Sequence, residues 1–317
     1  MRLKHFLGIL LLALMWSPTF LLVKVGLQGF GPFALTLLRC LLASAFIVLL
    51  SLQQGPFFPY LKQKWRDLAF AGLIGNALPF ALCAIGEVHV TSALAGIIEG
   101  MVPLFTLLLA RALPPFHRLH SMQLAGVTLG FIGLLAIFLP GMWDPAQASQ
   151  ILKDLWCEVT ICGMAIFFAL SFIFAKERLA DDPPLHVMAG QMLFASFWLF
   201  PFALFEEPVT PNLNALNAVL ILAIFCTAFP WLWHYVLLRF LRASDIALAA
   251  YFIPIGSIAL GYCFLNEILL YNDAVGAGLI LFAMALAGGL IPSQSVSKMR
   301  RFSLPNDAKP PFRNNLP

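Results

Sequence analysis

Long apolar stretches, separated by short clusters of proline, glycine and charge, make up almost the whole chain. From Phe6 to Val25 the only polar residues are Ser17, Thr19 and Lys24. About 20 apolar residues at 1.5 Å rise cross the roughly 30 Å hydrocarbon core of a bilayer. Divided at its punctuation, the sequence predicts ten spanning helices: 5–25, 33–52, 67–86, 91–111, 121–140, 156–175, 186–205, 215–238, 245–265 and 273–292. The predicted fold is all-α and polytopic.

Composition agrees with this pattern. Residues are 61% hydrophobic and 11% charged, with mean hydropathy +0.90, against about 25% charged in soluble domains. The first apolar stretch runs on without a small-residue cleavage site, so it reads as a span and not as a cleavable signal. The six cysteines lie singly in or beside apolar segments. They read as small core residues, with no metal site or disulfide framework.

Lysine and arginine orient the chain, because positively charged short loops stay in the cytoplasm. With the N-terminus inside, inner segments carry Arg2 and Lys4, then Lys62, Lys64 and Arg66, then Arg111 and Arg118, Lys176 and Arg178, and Arg239 and Arg242. The outer loops carry Lys153 with Glu206 and Glu207. Both termini are thus expected in the cytoplasm of a multi-pass inner membrane protein. The Pro-rich tail 293–317, with Lys298, Arg300, Arg301, Lys309 and Arg313, reads as a disordered end near anionic headgroups and not as a nucleic-acid site.

The chain also repeats itself at an offset of 152 residues, Lys24 to Lys176. The same offset pairs Phe20 with Phe172, Pro32 with Pro184, Ser44 with Ser196, Ser92 with Ser244, Gly126 with Gly278 and Pro140 with Pro292. The domains are therefore read as a first five-helix unit over 1–140, an extracytoplasmic linker over 141–154 and a second unit over 155–292. An odd number of spans per unit makes the copies inverted repeats. Transporters built this way hold their substrate near the midplane between the halves.

Trp16-Ser17-Pro18-Thr19-Phe20, Lys24, Pro32 and Arg39 together resemble the opening of an EamA-type unit of the drug/metabolite transporter superfamily. The stretch from Arg242 to Pro254, followed by Gly261 and Glu267, is similar to that family's ninth span and its acidic end. The resemblance covers about residues 5–292 and implies ten helices in two units around a central path, carrying a small molecule of a class it does not specify. The copies differ where Gln191 replaces the counterpart of Arg39, and the first half ends at Phe116 without an acidic residue.

A charged group within the hydrocarbon costs about 2.5–3.5 kcal/mol on insertion scales, so each one needs a partner or a wet cavity. Glu99 lies about 12 Å along its span at 1.5 Å per residue. A carboxyl there suits proton coupling or cation binding, or else a hydrogen bond across the bundle. Arg39, seven residues into the second span, keeps its charge, and Glu99 is its natural partner. Lys24, Asn76, His234, Tyr251 and Tyr262 are further candidates for the pathway. Trp231, Trp233, His234 and Tyr235 form a cluster that ordinarily marks an interfacial belt, although an imidazole titrates near neutral pH. Pro79, Pro103, Pro230 and Pro254 remove backbone donors and are candidate helix breaks and gates.

No H-E-x-x-H, G-x-S-x-G or G-x-x-x-x-G-K-[ST] motif is present. The expectation is a non-enzyme without catalytic residues or cofactor. The expected function is that of a secondary transporter, an exporter of a small metabolite or amphiphile by alternating access, with protons as the expected coupling ion and the lipid bilayer as its surroundings. A homodimer is compatible with the sequence. A passive facilitator, a lipid-interacting protein and an intramembrane enzyme are the alternatives.

Overall fold

The computed structural model describes residues 3–53, 55–113, 121–138, 148–241, 246, 249–250 and 252–287. Tyr251, Pro140, Pro292 and the basic tail lie outside the described residues. No strand occurs among those described. The helices are α1 (Leu3–Trp16), α2 (Thr19–Gly26), α3 (Pro32–Leu52), α4 (Phe57–Gly72), α5 (Leu78–Gly86), α6 (Ser92–Glu99), α7 (Val102–Ala112), α8 (Ser121–Phe138), α9 (Ala148–Arg178), α10 (Pro184–Leu204), α11 (Leu213–Ala223), α12 (Phe229–Leu238), α13 (Ile253–Leu265) and α14 (Tyr271–Ala287). By length and composition, seven helical stretches are able to cross a membrane, and three shorter apolar helices accompany them.

Several predicted spans are broken, each at a proline or glycine. The first splits at Ser17-Pro18, between α1 and α2. The fourth splits at Gly100-Met101, just before Pro103 at the second position of α7. Pro79 and Pro230 take the same place in α5 and α12. Each of these two follows a five-residue π turn, Leu73–Ala77 or Ile224–Ala228. A π turn absorbs one extra residue and leaves carbonyls free to bond elsewhere.

Other boundaries move outward. α4 starts at Phe57 and carries Lys62, Lys64 and Arg66 as an amphipathic beginning of the third span. α9 starts at Ala148, inside the stretch read as linker.

The principal helix crossings join the two halves: α3 with α10, α8 with α14, α6 with α13, α5 with α9 and α2 with α11. Small residues permit this closeness. A side chain at Gly126 would strike Ala287, one at Gly133 would strike Ile280, and one at Gly96 would strike Ser257. The core therefore runs along the interface of the two units, which is where any central site must form.

Candidate functional site

The π turns place polar residues where the halves meet. Thr227, in the second turn, donates its hydroxyl to the Leu222 carbonyl at 2.7 Å. Its oxygen then accepts from Arg39 Nε on α3 at 2.6 Å. At the equivalent place in the other half, Gln191 on α10 donates to the Oδ1 of Asn76, in the first π turn. The residues correspond as Arg39 to Gln191 and Asn76 to Thr227. Each second helix thus reaches across to the π turn of the opposite half. Tyr235 on α12 donates to the side-chain Oε1 of Gln191 and extends this buried network.

Beside Arg39 is a cavity lined by Trp16, Thr19, Phe20, Arg39, Phe80, Cys83, Glu99, Met164, Phe168, Phe172 and Trp231. The guanidinium carbon lies 3.6 Å above the centre of the Phe80 ring, a cation–π contact that is strengthened by exclusion of water. Trp16 stacks on Phe172 at 6.2 Å, with 12° between the rings. Trp231 meets Phe172 edge-on at 6.2 Å. A smaller cavity, walled by Val102, Ile246, Ala250 and Ile253, shares Trp16, Glu99 and Phe172 with the first. These three residues stand at the partition between the cavities.

Both cavities are tight, about 20 Å³ and 10 Å³. A single water needs about 10–15 Å³ of the same measure. The site is therefore closed around its polar groups, and an organic molecule would enter only if helices moved.

Arg39 and Glu99 line the same cavity without an ion pair; among the described residues, the ion pairs are Lys64–Asp182 and Arg178–Asp67. Lys24 is turned elsewhere. Its Nζ donates to the carbonyls of Glu87 at 2.6 Å and Val90 at 2.8 Å, binding the unpaired acceptors at the end of α5. Lys176 donates to the Leu238 carbonyl at 2.5 Å, at the end of α12. The lysine echo seen in the sequence is thus a pair of matching helix-end clamps.

His234, Trp231 and Tyr235 are buried and do not form an interfacial belt. Positions 231, 234 and 235 share one face of a helix, and here that face points into the bundle. His234 is fully enclosed, 4.6 Å from Phe172 and 5.3 Å from Trp231 between ring centres. Trp233, on another face, is partly buried and donates to the Gly8 carbonyl at 2.9 Å. Tyr262 is 68% exposed on α13. Tyr251 lies outside the described residues.

Glu267 is a helix cap that spans the halves. It accepts from Ser92 N at 2.9 Å, Ser92 Oγ at 2.7 Å and Ala93 N at 3.1 Å, at the start of α6. Glu206 does the same for α3, accepting from Phe33 N at 3.0 Å and Ala34 N at 2.7 Å. Carboxylates suit these ends because helix N-termini present free donors and partial positive charge.

Sequence reasoning missed Thr227, Phe80 and Phe168 at this site. The signal was there: Pro79 and Pro230 repeat at 151 and not 152 residues, and in that register Asn76 falls on Thr227.

The EamA-like transporter family matches residues 3–139 and, a second time, residues 155–289. An uncharacterized transporter from Archaeoglobus fulgidus is 25% identical over 286 residues, 89% of this chain and 97% of its own length. A probable terminal-alkyne amino-acid exporter from Streptantibioticus cattleyicolor is 26% identical over 305 residues, 94% of this chain and 96% of its own. The uncharacterized inner membrane transporter YedA of Escherichia coli is 24% identical, covering 87% of each chain. One solved crystal structure shares the fold at a TM-score of 0.64 and 21% identity, over 96% of this chain and all of the other. With broken apolar helices meeting half against half, and with the family matching both halves, this multi-pass membrane protein belongs to the EamA-like transporter family.

Proposed function

We propose that the protein is a secondary transporter that exports an amino-acid-like zwitterion with an apolar or aromatic side chain by alternating access. The observation that carries this reading is that Arg39 and Glu99 line one aromatic cavity between the halves. A guanidinium held over Phe80 suits a carboxylate, Glu99 suits an ammonium group, and Trp16, Phe168, Phe172 and Trp231 suit an apolar side chain. The exporter of Streptantibioticus cattleyicolor, named for an amino-acid substrate, supports the same class.

Ten spans in two inverted five-helix units, with both termini in the cytoplasm, complete the picture. The positive charge of the inner segments favours that orientation. Alternating access is supported by the closed cavity together with breaks at Pro18, Gly100-Met101 and the two π turns. Such breaks permit rigid pieces to rock around a fixed site. Glu99, at the partition, is the residue through which protons drive export.

Proteoliposomes containing the purified chain test this with L-phenylalanine, phenethylamine and 3-phenylpropionate as probes, with and without a pH gradient. Phenylalanine flux that responds to the gradient, with little flux of the other two, is expected. R39Q should narrow the preference over phenethylamine, and E99Q should abolish the response to the gradient. Equal flux of all three compounds in the native protein would sink the zwitterion reading. Gradient-insensitive flux in the native protein would leave a passive facilitator.

A further inference from the structure

We propose that Glu87 is a second proton-binding carboxyl of the transport cycle, positioned on the extracytoplasmic side of the cavity that Glu99 faces; this rests on the carrier reading above. Glu87 stands just beyond Gly86, the last residue of its span, and is 0% exposed. Its Oε1 accepts from the Cys83 thiol at 3.3 Å, and Cys83 lines the cavity. Its Oε2 is buried and, among the described residues, has no hydrogen-bond partner.

The fold does not require a carboxyl here. In the other half Lys176 clamps the end of α12 on the carbonyl of Leu238, at the place equivalent to Glu87. One copy makes the clamp with leucine, so the acid in the other is an addition to the architecture. A buried carboxylate with a bare oxygen is costly, whereas a protonated carboxyl is tolerated.

Among the described residues, the charged and titratable groups bearing most on Glu87 are Lys24 from α2, Arg39 from α3, Cys83 from its own helix and Glu267 from the end of α13. From α9, Thr160 and Ile161 pack against Gly86. Burial is the largest influence and lifts the proton affinity of Glu87 well above the carboxylate range, although the Cys83 thiol, Lys24 and Arg39 oppose it.

This structure, closed over the cavity, accommodates Glu87 protonated. Ionisation calls for water, and water calls for opening. Proton binding and closure therefore favour one another, as for any ligand that prefers one of two states. In the cycle Glu87 takes one proton from the extracytoplasmic side. It later releases that proton through the hydrated cavity to the Glu99 carboxylate, becoming a carboxylate again while Glu99 becomes an acid. Arg39 lines the cavity beside Glu99 and bears electrostatically on Glu87.

Infrared difference titration of the purified, substrate-free full chain tests the assignment directly. The expected result is a protonated-carboxyl band that persists above the ordinary carboxylate range and is lost in both E87Q and E87L. The second variant places in this half what Leu238 provides in the other. In pyranine-loaded proteoliposomes with L-phenylalanine, both variants should lower the ratio of gradient-driven to exchange flux by about tenfold, the scale of a typical coupling free energy. A band unchanged in both variants would overturn the proposal. So would a native flux ratio in both. Absence of phenylalanine flux in the native protein would count against the substrate reading, while the infrared result still decides Glu87.

Discussion

Replacing Glu267 with alanine removes a bridge between the halves whose worth follows from its geometry. The carboxylate accepts three hydrogen bonds at the start of α6, from Ser92 N, Ser92 Oγ and Ala93 N. Bonds to a charged group contribute about 1.5–3 kcal/mol each when buried. This carboxylate is half-buried, so water replaces part of each bond, and about 1 kcal/mol apiece is the fair figure. E267A should therefore lose about 3 kcal/mol, including the interaction with the helix N-terminus. E267Q keeps an acceptor but no charge and should lose about 1–2 kcal/mol. Unfolding by SDS titration of the detergent-solubilised protein, followed by tryptophan fluorescence, measures both. The double variant E267A/S92A should cost about 1 kcal/mol less than the two single losses combined, because they share a bond. If E267A lies within about 0.5 kcal/mol of the native protein, the size of an ordinary surface substitution, the cap is not holding the halves together.

Other expectations follow from the same contacts. K24M and K176M should each lower stability by about 1.5–3 kcal/mol and combine additively, since each lysine clamps a different helix end; the same titration reads this. A methyl group at Gly96 would lie 2.6 Å from the Cβ of Ser257, so G96A should destabilise by about 1–3 kcal/mol. The second change S257G should recover most of that loss, and no recovery would place the strain elsewhere. Y235F leaves the side-chain Oε1 of Gln191 without its phenol donor and should cost about 1 kcal/mol. In the background Q191L, the same change should cost close to nothing.

The class of fold was legible because hydrocarbon leaves little choice. An apolar run of about 20 residues has to bond its backbone within itself, and the helix does that. The duplication was legible too, since Lys24 and Lys176, or Pro32 and Pro184, recur at one spacing in a single chain. Proline positions announced breaks, because a missing N–H is a property of the residue itself.

Which way a side chain turns is another matter. In the sequence, Lys24 reads as a pathway residue facing a polar cavity or an anionic substrate. Only the approach of the α5 carbonyls made it a clamp. The Trp231, His234 and Tyr235 cluster has the composition of a belt, yet rotation of α12 sends it into the core. Arg39 meets Thr227, and Gln191 meets Asn76, across 188 and 115 positions of chain, a separation that local pattern does not encode. The same holds for Glu87, which falls between two predicted spans: its neighbours in sequence say nothing of burial, and only the folded bundle leaves its carboxyl without solvent. The sequence by itself determined the membrane, the helices and their twofold writing. Tertiary structure decided which polar groups those helices hide together, because burial and contact are created only when the two halves close on each other.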